Sequence, residues 1–321
     1  MTGGTAWYGL HGHTTAITAW PELLSAIDGR FSPFASLPTD SADLHIEFRA
    51  VDAIALEDAD PAGRLVYEFP GGGVWADAQQ LLTIAIGTRV RARCDARAGR
   101  TVVRIARPDD DDVWLLSHPV INVPLLESLR CRDVFPLHAA GVARGGQAAV
   151  IAGTSGAGKS TLALALARAG LDFLADDTLF LTHAAGGWRL RAFPDEIDLT
   201  PASVEMFAGL NDAPSFSARI GWRKQQVRAE EAYGSRIAWD AAPHLLILPR
   251  VSGGERSVWR RLAPEDALLE LVPNVLLTDA TVAQRHLDAI AALVRASDCF
   301  ALETGRDLDT VASEVLRLLT R

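Results

Sequence analysis

Eight consecutive residues, Gly153-Thr154-Ser155-Gly156-Ala157-Gly158-Lys159-Ser160, fit the spacing G-x-x-x-x-G-K-S. The chemistry such a spacing serves is the holding of phosphates. The glycines let the backbone curl until successive N–H groups point inward as an anion nest. A helix leaving the loop adds the positive end of its dipole. Lys159 offers a compact point charge to the outer phosphates of a nucleotide. The Ser160 hydroxyl suits Mg2+, which keeps several waters and takes few protein ligands. Thr161 follows directly. The setting agrees: Ala148–Ala152 reads as a short buried strand entering the loop, and Ser160–Ala169 as a helix ended by Gly170.

Asp176-Asp177 follows a second short apolar run, Phe173–Ala175. Paired carboxylates at the end of a buried strand are costly unless a cation or proton is there to manage. Beside a phosphate loop, one can hold Mg2+ or its water and the other can take the proton of an attacking hydroxyl. His138 lies fifteen residues before the loop, between Phe135-Pro136-Leu137 and Ala139-Ala140-Gly141. A further candidate comes from counting. Of the 31 basic side chains only Lys159 and Lys224 are lysine. Where arginine serves everywhere else, a lysine marks a place that wants a point charge rather than a planar fork. Lys224 shares its stretch with Arg219, Arg223 and Arg228, a dense basic segment in a chain of net charge −9. The expectation is a loop that closes over the γ-phosphate and supplies positive charge on its far side.

These residues need a scaffold. The 321 residues favour two domains. Residues 1–130 read as a β-rich domain of unknown role. Strands are expected at Leu44–Phe48, Leu65–Phe69, Leu82–Ile86, Val90–Cys94 and Thr101–Ile105, with a turn at Gly71-Gly72-Gly73. His118–Arg130 has helical spacing and makes a connector. Residues 131–321 read as the catalytic domain. Thr178–Thr182 and Trp188–Phe193 form a hairpin, and strands follow at Leu245–Leu248, Val258–Leu262 and Phe300–Glu303. Helices are expected at Pro264–Val272, Ala280–Arg295 and Asp307–Leu319.

His138-Ala139-Ala140-Gly141-Val142, the loop Gly153–Ser160 and Leu174-Ala175-Asp176-Asp177 together resemble the C-terminal catalytic domain of the HPr kinase/phosphorylase-related serine kinases. The match covers about Leu137–Thr182. The resemblance implies an α/β fold like that of ATP-dependent phosphoenolpyruvate carboxykinase, with the phosphate loop set in a mixed, mostly antiparallel sheet. It implies ATP and Mg2+ as cofactors and Asp177 as the acid/base residue. Lys159 and Ser160 would be the phosphate and metal ligands, Asp176 would act on the metal side, and His138 would be a catalytic residue beside the phosphate. The family's downstream metal-binding glutamate has its nearest counterpart in Glu196, within Phe193-Pro194-Asp195-Glu196-Ile197-Asp198.

The expected activity is transfer of the γ-phosphate to a serine or other hydroxyl of a protein or peptide. The alternatives are a metabolite kinase of the same fold and a nucleotide-binding regulatory module without transfer. The acidic balance argues against nucleic acid as a partner. No run reaches the ~20 apolar residues of a membrane span, and Met1–Leu10 lacks the pattern of a secretion signal. Cys94, Cys131 and Cys299 are too few and too widely spaced for a disulfide framework. The cytoplasm is therefore the expected compartment. The sequence leaves a homo-oligomer open.

Overall fold

The computed structural model describes residues 3–54, 61, 63–69, 71–109, 112–193, 196–207, 210, 225–275 and 279–320. The chain divides into two compact units. One is Met1–Val134 with Leu277–Ala283, and the other is Phe135–Leu276 with Gln284–Arg321.

The first unit holds strands β1 (Gly4–Leu10), β2 (His13–Ala19), β3 (Leu44–Val51), β4 (Arg64–Phe69), β5 (Gly72–Ala76), β6 (Leu82–Ile86), β7 (Val90–Asp95) and β8 (Arg100–Ala106). They form one sheet in the order β1-β2-β3-β8-β7-β6-β5-β4. Helix α1 (Pro21–Phe31) buries Leu23, Ile27 and Phe31. Helix α2 (Asp112–Leu115) runs through a π-turn at Leu116–Val120 into α3 (Ile121–Arg130). Pro124 inside α3 lacks an N–H, so the ladder loses a bond just after the π-turn. His11 and Gly12 make the tight β1–β2 turn, both at positive φ, as a two-residue hairpin of this type requires. One expectation fails here. The glycines expected to turn at 71–73 mostly do not, since β5 begins at Gly72 and pairs on both sides. A Cβ on Gly72 would lie 2.3 Å from the Ala85 carbonyl oxygen, so glycine serves close strand approach rather than reversal.

The second unit carries β9 (Phe135–Leu137), β10 (Ala139–Arg144), β11 (Gln147–Ala152), β12 (Asp172–Ala175), β13 (Leu179–Ala184) and β14 (Gly187–Arg191). After these come β15 (Ile197–Leu199), β16 (Gln225–Val227), β17 (Asp240–Val251), β18 (Val258–Arg261) and β19 (Asp298–Thr304). The main sheet runs β12-β10-β11-β17-β14-β13-β9, with β19 added to β17 and β18 to β19. Among the described strand pairs of this sheet, β11–β17 and β17–β19 are parallel and the others antiparallel. The sheet is therefore mixed and mostly antiparallel, in an α/β unit.

Its helices are α4 (Lys159–Arg168), α5 (Pro201–Glu205), α6 (Ala229–Tyr233), α7 (Pro264–Leu271), α8 (Ala280–Arg295), which belongs to this unit from Gln284 onward, and α9 (Leu308–Leu319). Strand β11 shows why the sheet is covered on both faces. Ala149 and Ile151 join one core with α4 and α9, while Ala148, Val150 and Ala152 join the other with α7 and α8. The period of two sends alternate side chains to opposite faces, and each face is apolar. Both faces bury helices, so the edge where β11 ends is left for the loop. Among the described residues no helix is long and apolar enough to cross a membrane.

Candidate active site

The loop leaves β11 at Ala152 and enters α4 at Lys159. Gly156 and Gly158 have φ of +82° and +95°, a region that side-chain-bearing residues rarely adopt. Gly158 is the N-cap of α4 and offers no side chain to the first turn's N–H groups, so these are left for an anion. Lys159 is buried at the foot of the loop. Its Nζ donates to the carbonyls of Gly153 (2.8 Å) and Thr154 (3.3 Å), which anchors the ammonium across the loop. The Thr161 hydroxyl lies 2.9 Å from that of Ser203, and Ser203 N donates to the N-cap Thr200 of α5. That contact fixes the first turn of α4 from the other side.

Register explains how His138 reaches the acid pair. The chain leaves β9 beside β13, where Leu137 faces Leu179, and enters β10 beside β12, where Gly141 faces Ala175. His138 sits at that crossing, opposite the corner made by Asp176 and Asp177. Its Nδ1 is 3.1 Å from an Asp177 carboxylate oxygen and 3.1 Å from the Asp177 carbonyl. Two acceptors at one nitrogen require it to carry the proton, which turns Nε2 away from Asp177. The hydrogen bond that His138 donates to Asp177 outweighs burial and holds His138 above the ordinary imidazole value. The Asp177 side chain is 71 % exposed and faces solvent beside the loop.

Asp176 has the opposite environment. It is 4 % exposed, and burial, reinforced by the Asp177 charge, pushes its carboxyl up to about 7 against the pull of a Ser160 hydrogen bond. Its Oδ1 is buried with no hydrogen-bond partner. A buried carboxylate joined to the loop serine, raised in pKa and holding an unused oxygen, is what a divalent cation would relieve. Two protein oxygens, from Ser160 and Asp176, suit Mg2+. Among the described residues no group of three or more His, Cys, Asp or Glu is arranged for a metal.

Glu196 forms an ion pair with Arg228 at 2.9 Å. Asp198, which the sequence reading did not single out, reaches Asp176 instead. Its backbone N–H bonds to the Asp176 carboxylate, and its own charge adds to the upward push. Ile197-Asp198-Leu199 alternates apolar, acidic, apolar, which aims the Asp198 side chain away from the core that buries its neighbours but does not show where its N–H points. Lys224, Arg219 and Arg223 lie outside the described residues.

No model of a known protein family matches the chain. No curated protein matches it either. Among solved structures, the Hpr(Ser) kinase/phosphatase from Coxiella burnetii is similar at a TM-score of 0.32 and 12 % identity, over 57 % of this chain and 94 % of that one. A likeness of that size says nothing of activity.

Proposed function

We propose that the chain is a Mg-ATP-dependent phosphotransferase that acts on a serine or other hydroxyl of a protein or peptide. The observation that carries this reading is the contrast between adjacent acids. Asp176 is buried, bonded to Ser160 and short of a partner, while Asp177 faces solvent and is held by His138. A phosphate-binding turn with only a structural role needs neither. Bound Mg-ATP would supply the phosphoryl group and its charge compensation, with Ser160 and Asp176 holding the ion. The chain's own residues do the rest. The N–H groups of Gly153–Ser160 and the α4 N-terminus bind phosphate oxygens, together with Lys159. Asp177 accepts the acceptor's hydroxyl proton at its carboxylate, and His138 fixes the orientation of that carboxylate through its Nδ1 hydrogen bond. Lys224, on sequence grounds, adds charge on the far side.

An exposed Asp177 suits an acceptor presented on a polypeptide, since a side chain 71 % exposed is reachable by a hydroxyl on a large molecule. The test is calorimetry with Mg-ATP. Wild type should bind and Lys159→Ala should lose most of that binding. Equal affinity in the variant would overturn the reading.

A further inference from the structure

The carboxyl ends of three neighbouring parallel strands meet at the phosphate loop. β11 runs into it, β17 lies beside β11, and β19 lies beside β17. Ligands of α/β sheets bind at this edge, and loops after neighbouring strands complete the contacts. β17 ends at Val251. A Cβ on Gly158 would stand 3.3 Å from Val251 Cγ2, so this side chain borders the loop where α4 begins. Val251 is nevertheless 64 % exposed.

The chain behind it is tightly built. Ser252 N donates to the Thr304 carbonyl (3.0 Å), and Ser252 Oγ donates to the same carbonyl (3.1 Å) and accepts from Gly254 N (3.2 Å). Arg306 N donates to the Gly254 carbonyl (3.1 Å). Ser257 donates to Asp307 through N (2.8 Å) and Oγ (2.5 Å), and its Oγ accepts from Gly305 N (2.9 Å). Gly305 passes so close to Arg256 that a Cβ there would fall 2.6 Å from backbone. The loops after β17 and β19 are therefore locked together as one platform beside the phosphate loop.

We propose that this platform seats the nucleobase of the bound nucleotide, with Val251 as the apolar surface under the base. The proposal rests on the reading of Gly153–Ser160 as the phosphate site. Continuity decides the occupant. A ligand whose phosphates fill the loop carries its base within one nucleotide's length, and the apolar side chain bordering the loop matches the face of a planar base. A preformed platform also lets the base bind without first ordering a loop.

The test compares Mg-ATP with Mg-tripolyphosphate by calorimetry on the full chain, using wild type, Val251→Ser and Val251→Leu. Wild type should bind ATP more tightly than tripolyphosphate. Val251→Ser should weaken ATP about tenfold and leave tripolyphosphate within about twofold, because only the base loses its apolar seat. Val251→Leu should stay within about threefold for both. Unchanged ATP affinity in Val251→Ser, equal loss of both ligands, or equal wild-type affinity for the two would overturn the proposal. Failure of wild type to bind either ligand would instead overturn the phosphate site itself.

Discussion

Replacing Asp176 by asparagine should change stability in a way that depends on pH. Asp176 is raised from 3.8 to about 7, so the folded state holds this proton more tightly than the unfolded chain. Stability therefore declines as pH climbs from 3.8 toward 7 and levels off beyond. At about 1.4 kcal/mol per unit, the ionised carboxylate costs the fold roughly 4 kcal/mol at pH 8. At pH 5 most of the folded protein carries the proton and the cost falls to roughly 2 kcal/mol. Asparagine has no charge to desolvate and can still accept from Ser160 and from Asp198 N–H. Its amide would stand where Oδ1 has no partner, at a cost of about 1–3 kcal/mol at every pH. Asp176→Asn should thus be more stable than wild type at pH 8 and lose roughly 2–3 kcal/mol of that advantage by pH 5. Urea unfolding with chelator present, followed by circular dichroism at both pH values, measures it. Mg-ATP should then stabilise wild type but not the variant. A stability difference that does not move between pH 5 and pH 8 would mean that the fold does not raise the Asp176 carboxyl.

Three other outcomes follow from the same structure. Glu196→Gln should leave the Mg2+ dependence of ATP binding within about twofold, because Glu196 is engaged by Arg228; calorimetry across a Mg2+ series checks it. Asp240→Asn should destabilise the second unit by about 1–2 kcal/mol at pH 7, since Arg189 and Arg191 both bind this carboxylate. Arg189 holds Asp240 below the ordinary aspartate value, so that stability is present above ~3.9 and is lost as pH falls through the depressed folded value. The variant and wild-type unfolding curves should converge in acid. Lys224→Ala should slow phosphoryl transfer at least tenfold with ATP affinity nearly unchanged, if its charge acts mainly on the transition state; steady-state kinetics beside calorimetry separates the two.

The phosphate loop, the acid pair and the hairpin from Leu179 to Arg191 were legible because each depends on local chemistry. Glycines at positive φ, a lysine in an arginine-rich chain and a polar break after an apolar run are visible one segment at a time. His138 was legible as a residue but not as a geometry. β9 and β10 are short, and their turn from one partner strand to another is set by pairing with residues about forty positions away. The role of Asp198 was hidden for a similar reason, since nothing near it in sequence says that its N–H meets Asp176. Glycines 72 and 73 misled because glycine serves close packing as readily as reversal. Val251 gave no sign at all, being an ordinary strand-ending valine until Gly158 is brought beside it.

Whether this site moves a phosphoryl group is read from labelled ATP. The 321-residue chain with Mg2+ and γ-labelled ATP is added to a cell extract, and label in protein or peptide is followed for wild type and for Asp177→Asn. Wild type should yield labelled polypeptide, and Asp177→Asn should lose ~10²–10⁴-fold of that labelling with ATP binding retained. Labelling by Asp177→Asn equal to wild type would remove Asp177 from the acid/base role, and wild type that consumes ATP equally fast with and without extract and labels nothing would rule out phosphoryl transfer to a polypeptide.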